Sequence, residues 1–267
     1  MEQSIMEQPG DDLPAGEPSI QAIEVLCTAA RLMLENGSET YRVEETVLRM
    51  AKGLGIERAN IAAFPTSIMI EVQGCARVRR ISRRGTDTLR IAQVNDISRR
   101  VEHGEMGARQ AALALARIEA APGASRRTLI WSYALAAASF SLLFGGDAGT
   151  FLVTFFIGIV VQAVRPLFLG MEMGVLFGNF AGGMFTAVLA QAIHAVLPYG
   201  SANAAIVGGI MPLLSGLLMT TAVRDTMYGD LISGMTRALE ALLLAASVAL
   251  GVYAGLKMAT VMGGILL

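Results

Sequence analysis

The charged residues of this chain are concentrated in its first half, and this asymmetry limits its possible folds more than any other feature. Of the 43 Asp, Glu, Lys and Arg residues, 34 lie in the first 127 positions and nine in the remaining 140. The whole chain is 16% charged, whereas ordinary soluble domains contain about 25%. The sequence therefore predicts a soluble part followed by a membrane-embedded part, and it excludes a wholly soluble enzyme and a disulfide-built secreted module.

Apolar periodicity in the first half predicts an α+β domain over residues 19–122, with the element order ααβββαα. The first helix should end at Gly37, because glycine tolerates the left-handed geometry of a helix cap. Ser38 is then expected to cap the second helix, which should end at Gly55. The remaining elements are expected as three strands at 60–64, 68–72 and 76–82, and two helices at 87–102 and 106–120.

The segments on either side of this domain have no pattern of regular structure. Residues 1–18 are acidic, contain Pro and Gly, and lack the basic and apolar regions of a signal peptide. We therefore expect residues 1–18 to be a disordered N-terminal lead and residues 123–128 to be a linker. Cys27 and Cys75 are too few for a disulfide framework or a zinc site.

A basic cluster lies near the third predicted strand. No aromatic side chains alternate with the arginines to stack on bases, so a solvated face, or a face that meets anionic membrane lipid, is favoured over a nucleic-acid site. Its members are Arg77, Arg79, Arg80, Arg83, Arg84 and Arg90.

The second half, residues 129–267, is sufficiently apolar for five membrane helices, since one crossing needs about 20 mainly apolar residues. The chain is thus predicted to be an α-helical polytopic membrane protein with an N-terminal cytosolic α+β domain. The first two segments are short, and a single re-entrant hairpin is the alternative for them. The five segments are 129–145, 148–164, 175–197, 204–223 and a last one from about 238.

The distribution of basic residues predicts the orientation of these helices, because cytoplasmic loops are enriched in Lys and Arg. With five spans and a cytosolic N-terminus, five arginines fall on the inner side and the C-terminus lies outside. Lys257 is the exception, and its long side chain can extend to the outer interface. The five are Arg126, Arg127, Arg165, Arg224 and Arg237.

Glycine and polar residues inside the spans suggest how this part works. Glycines four residues apart in the third and fifth segments predict tight helix packing or a homo-oligomer. Pro212 interrupts the fourth segment, so Pro212, Ser215 and Gly216 form a candidate broken helix of the kind that transporters use to bind substrate. A packing kink is the alternative. Asn179 is the other candidate for a polar pathway.

The segment 224–237 carries charges of both signs, and two interpretations of it stay open. It can be an ion-paired loop that caps helix ends, or an inner gate in which alternate pairings distinguish open from closed states. The residues concerned are Arg224, Asp225, Gly229, Asp230 and Arg237.

Several chemistries have no motif in this sequence. There is no phosphate-binding GxxxxGK[ST] loop, no HExxH motif, no paired CxxC and no Gly-x-Ser-x-Gly nucleophile elbow. We therefore expect no catalytic centre, no metal site and no cofactor.

Four segments of the sequence resemble motifs of the threonine/serine exporter family, and in particular of the larger chain of its split, YjjP-type members. The family's opening motif is matched from Glu35 to Thr46, including Tyr41, Arg42 and Glu44, and its VNxLSR helix by Val94 to Arg99, including Asn95 and Ser98. Met211 to Gly216 and Arg224 to Arg237 match two motifs of the membrane half. Ser215 departs from the family pattern, which has proline there.

The resemblance implies export of a small molecule across the bacterial inner membrane, driven by an ion gradient, with protons expected, rather than by ATP. Threonine and serine are the substrates implied by the fused members, and succinate by the split ones. Five spans correspond to the larger half of the split form, so the resemblance also implies a smaller integral-membrane partner chain.

Two other functions remain as alternatives. In one the N-terminal domain is a hydrolase tethered to a membrane anchor, and in the other it senses a ligand and gates the helices. Arg42 and Glu44 do not face each other on a helix, and Arg42 is instead spaced to pair with Glu39 or Glu45. Structural pairing is the favoured role of this motif.

Overall fold

The computed structural model describes residues 20–82, 85–165, 167, 174–197 and 200–266. The expected disordered lead at 1–18 lies outside the described residues, as do Arg83 and Arg84 of the basic cluster. The elements, in chain order, are α1 Ile20–Glu35, α2 Thr40–Gly53, β1 Ala59–Phe64, β2 Ser67–Val72, β3 Cys75–Arg80, α3 Thr88–Glu102, α4 Ala108–Ala120, α5 Arg126–Leu143, α6 Ala148–Val164, α7 Gly174–Val196, α8 Ala202–Ile210, a short 3-10 helix Met211–Leu213, α9 Gly216–Met227 and α10 Leu231–Leu266.

The chain divides into two compact units. The first unit contains the chain up to Ala121 together with Thr221–Met235, and the second contains Pro122–Thr220 together with the chain from Thr236. The divisions therefore fall inside α9 and inside α10. The segment Thr221–Met235 was assigned to the membrane half from sequence, but it packs as part of the first unit.

The first unit has the predicted element order ααβββαα, followed by the segment 221–235. Its strands form an antiparallel sheet in the order β1-β2-β3. Ile68, Ile70 and Val72 of β2 are buried against the helices, while Met69 lies on the exposed face of the sheet. The strand predicted at 68–72 is thus confirmed, with Met69 as an apolar residue on its exposed face.

The junction between α1 and α2 is only partly as predicted. Gly37 ends the first helix with a φ of +90°, as expected. The cap expected from Ser38 is wrong, because the N-cap residue is Glu39 and its own side chain makes no capping hydrogen bond. The acceptor for the first turn of α2 comes from another part of the chain.

The second unit is a packed group of helices whose core includes Tyr133, Ile157, Ala187, Leu213 and Val248. Small residues let its helices approach closely. A methyl group added at Gly183, Gly251 or Gly255 would overlap a main-chain carbonyl of the facing helix, because α7 and α10 meet there. These three glycines therefore serve contacts within the chain, and the homo-oligomer stays a prediction.

Among the described residues, two helices are long and apolar enough to cross a membrane alone, Gly174–Val196 and Leu231–Val261. A third span results if Ala202–Leu213 and Gly216–Met227, which are bent by 54° at their junction, count as one. Ala148–Val164 is apolar but short, and α5 begins with two arginines. Each predicted segment is mainly helical, although the fourth is broken, and the number five stays a prediction.

The break in the fourth segment is confirmed, but the long loop expected at 224–237 is wrong. The helix of the fourth segment extends to Met227, and α10 begins at Leu231, seven residues earlier than the predicted start. Only a short turn remains between them. Gly229 makes it possible with a φ of +91°, and the Asp230 carboxylate accepts a hydrogen bond from the Ser233 amide in the first turn of α10.

Candidate functional site

Two of the predicted motifs meet in the first unit, where the start of α2 contacts the α9–α10 turn. Asp225 is fully buried, and its Oδ1 accepts hydrogen bonds from the Thr40 amide at 3.1 Å and the Thr40 hydroxyl at 2.9 Å. A carboxylate at a helix N-terminus accepts from backbone N–H groups that lack a helical partner and favourably meets the helix dipole. Asp225 therefore caps α2 from 185 positions away in the chain.

Glu39 joins the same contact through two arginines. Its carboxylate accepts from Arg224 Nη1 at 2.8 Å and from Arg42 Nη1 at 3.4 Å. Burial opposes ionisation of Glu39, but hydrogen bonds from its own amide and from Arg224, with the attraction of Arg42, hold its pKa below the ordinary value. The pairing of Arg42 with Glu39 is the one that the spacing predicted.

An aromatic pair lies beside these ion pairs. The rings of Tyr41 and Tyr228 are stacked, with centroids 3.9 Å apart and planes at 11°. Burial, with the nearby charge of Glu39 and the neighbouring Tyr228, raises the pKa of Tyr41. The Tyr41 phenol therefore stays neutral at physiological pH, and the stack adds an apolar contact to a charged surface.

Glu44 is an acidic residue of α2 that faces this region. Its Oε1 accepts a hydrogen bond from the Ala63 amide in β1 at 2.8 Å. Burial raises the pKa of Glu44, the Ala63 amide lowers it, and the charges of Asp230 and Asp225 raise it further, so that the net change is upward. The carboxyl group is half-buried and holds its proton more tightly than an ordinary glutamate.

The other residues of the α2 and α3 motifs have structural positions. Asn95 accepts a hydrogen bond from the Thr46 hydroxyl at 3.0 Å and so links α3 to α2. Ser98 is fully buried, whereas Arg99 is exposed on α3. These three residues lie outside the contact between α2 and the turn.

In the second unit, the helix break is held by side chains of neighbouring helices. The Tyr133 hydroxyl donates to the Gly209 carbonyl at 2.9 Å, and Asn179 Nδ2 donates to the Leu213 carbonyl at 3.4 Å. The last carbonyls of a helix lack helical donors, so these two bonds satisfy main-chain groups that the break leaves unpaired. Asn179 is buried and also accepts from Arg165 Nη2 at 3.3 Å.

The break itself places the other predicted pathway residues. Pro212 lies in the 3-10 turn, Ser215 follows it, and Gly216 begins α9. A methyl group added at Gly216 would meet no atom within 4 Å, so the backbone there borders open space. Arg237, the last residue of the predicted gate, is buried in α10.

Four contributors to these contacts were missed from sequence, namely Thr40, Tyr228, Tyr133 and Arg165. Tyr228 lies directly before the Gly229-Asp230 motif, which was a signal for it, and Arg165 was used only as an indicator of topology. Among the described residues, no group of three or more His, Cys, Asp or Glu is arranged to hold a metal ion.

Comparison with known proteins identifies the family. A sequence model described as "Putative threonine/serine exporter" matches residues 24–259. The chain belongs to the threonine/serine exporter family. The match includes the α2 motif, the helix break and the α9–α10 turn, so the two contacts described above are built from segments of a single family domain. No solved structure matches the chain significantly.

Two curated members of the family are similar along nearly the whole chain. A "Probable threonine/serine exporter" of Mycobacterium tuberculosis is 25% identical over 249 residues, which is 89% of this chain and 46% of the relative. A "Probable succinate transporter subunit YjjP" of Klebsiella aerogenes is 24% identical over 253 residues, 92% of this chain and 97% of the relative. The chain thus spans about half the length of the mycobacterial protein and nearly all of the Klebsiella one.

Proposed function

We propose that this membrane protein is one subunit of a secondary exporter for small carboxylate-bearing metabolites, either threonine and serine or succinate. The observation that carries the proposal is the match to the exporter family over residues 24–259. An ion gradient, with protons as the expected ion, drives the flux. The protein lies in a bacterial inner membrane with its N-terminus in the cytosol and its C-terminus outside.

The name of the Klebsiella relative, a transporter subunit, supports a two-subunit exporter. This chain matches the Klebsiella succinate transporter subunit nearly end to end, but only about half of the mycobacterial exporter. The mycobacterial exporter therefore contains a further region outside the matched part. We propose that a smaller integral-membrane partner supplies that region.

The contact between α2 and the α9–α10 turn serves in this proposal as the inner gate. Asp225 and Arg224 at the end of α9 and Tyr228 of the turn each bind a residue at the start of α2, namely Thr40, Glu39 and Tyr41. The twelve residues of α9 then lead to the break at Pro212. Release of these three contacts would free the inner end of α9, and their formation would hold it.

The break forms the substrate pathway in this proposal, with Asn179, Pro212, Ser215 and Gly216 along it. Asn179 is buried beside the break and bonded to its Leu213 carbonyl. The two alternatives from sequence are not favoured, because the matching family model and both relatives are named as exporters or as a transporter subunit.

Efflux from intact cells tests the proposal. Cells without their own exporters are loaded with labelled succinate, threonine or serine, and they express this chain with and without its small membrane partner. We expect efflux of one substrate class only when both chains are present. Correct insertion of both chains with no efflux of any of the three would contradict the proposed function.

A further inference from the structure

A cationic side chain lies beside the helix break and is only partly satisfied there. Arg165 follows α6 and donates from Nη2 to Asn179 at 3.3 Å. Its Nε is buried and has no hydrogen-bond partner among the described residues. A guanidinium has five N–H donors in a planar fork, and a buried donor without an acceptor costs free energy.

The neighbours of Arg165 connect it to the break. Asn179 donates to the Leu213 carbonyl, and Tyr133, which donates to the Gly209 carbonyl, is close enough to Arg165 to be affected by its charge. Three residues after Leu213, Gly216 borders open space at the start of α9, where the helix dipole is positive. The arginine and the N-terminus of α9 both favour an anion.

We propose that Arg165 binds the carboxylate of the transported molecule at the break between α8 and α9, with Asn179 holding the guanidinium in position. This inference rests on the proposed function and names the group that selects the substrate. A carboxylate accepts two parallel N–H bonds from an arginine, one of them from Nε. Succinate, threonine and serine all carry that group.

The arrangement also assigns a role to the Asn179 amide. Its oxygen accepts from Arg165 while its nitrogen donates to the main chain of the break, which fixes the direction of the amide. Asn179 is therefore a positioning residue. Its removal should weaken binding through Arg165 rather than through a contact of its own.

Transport kinetics test the assignment with three variants of the full chain, co-expressed with its partner. Arg165→Gln should raise the KM for efflux at least about tenfold, the range of a charge-assisted hydrogen bond. Arg165→Lys should restore part of the affinity by keeping the charge without the fork. Arg127→Gln, at an exposed arginine, is the matched control and should leave the KM unchanged.

A binding measurement separates this inference from the proposed function. The full chain in nanodiscs is heated with succinate or threonine, and with succinamide or threoninamide, which lack the carboxylate. We expect thermal stabilisation of the unmodified chain by the acids only, and its loss in Arg165→Gln. If the wild-type chain exports substrate and Arg165→Gln has an unchanged KM, the role of Arg165 is overturned while the proposed function stands. Stabilisation that is equal for acids and amides, or that no acid produces, would overturn that role too.

Discussion

The cap that Asp225 provides to α2 leads to a prediction that depends on no assumption about transport. Asp225→Ala removes the acceptor of both the Thr40 amide and the Thr40 hydroxyl. Thr40 is 1% exposed, so water does not readily replace the lost acceptor. The first turn of α2 should therefore open more often, while the rest of the first unit keeps its packing.

The size of the effect follows from the two bonds. Loss of a helix cap costs about 0.5–2 kcal/mol, and a buried amide left without an acceptor costs about 1–3 kcal/mol. These descriptions overlap, because the Thr40 amide is counted in both. A local loss of about 1–3 kcal/mol corresponds to amide exchange that is about 5- to 150-fold faster.

Hydrogen exchange of the full chain in nanodiscs measures this directly at Thr40. Thr40→Val keeps the hydrogen bond from the amide and loses the one from the hydroxyl, so it should have a smaller effect. The same substitution should add little in the Asp225→Ala background. Asp230→Ala is the control, because Asp230 caps α10 through Ser233 and should speed exchange there but not at Thr40. Unchanged exchange at Thr40 in Asp225→Ala would refute the assigned cap.

Three further predictions concern other contacts. The raised pKa of Glu44 means that its contribution to stability is complete below its unfolded value of about 4.3 and is lost as pH rises through the folded pKa. Glu44→Gln should therefore have a higher Tm than wild type at pH 7.5, with the difference closing towards pH 4, and a constant difference would contradict this. Tyr228→Ala should lose a ring contact of about 0.5–1.5 kcal/mol, which lowers the Tm in thermal unfolding, whereas Tyr228→Phe should retain the contact. Equal losses of Tm in the two variants would exclude stacking. Gly251→Leu should clash with the Phe180 carbonyl and abolish a monodisperse profile in size-exclusion chromatography, while Gly123→Ala, in open space, should not. A normal profile for Gly251→Leu would refute the close approach of α7 and α10.

Much of the first unit was predictable from sequence, because its signals are local. The apolar faces of α1 and α2 and the alternation in β2 follow the periods of helix and strand, and Gly37 ended α1 as expected. The Ser38 cap failed for a physical reason. The acceptor for α2 is Asp225, and no local pattern reveals a partner 185 positions away.

The same limit applies to the candidate sites. The motif residues on α2 and on the α9–α10 turn were identified separately, but their contact was not, since it depends on the packing of distant segments. The charges of segment 224–237 suggested a loop, yet α10 begins at Leu231 because the Asp230 carboxylate caps it there. Arg165 was a topology marker in the sequence, and only its position beside Asn179 indicates a ligand.

Flux in proteoliposomes tests the central claim most directly. The purified chain and its small membrane partner are reconstituted with labelled succinate, threonine or serine, and a pH gradient is imposed across the vesicle membrane. The account predicts flux of a carboxylate substrate that requires both chains and no ATP, and that collapses when a protonophore and a potassium ionophore dissipate the gradients. Flux of equal rate and extent after the gradients are abolished would contradict gradient-driven export by this protein.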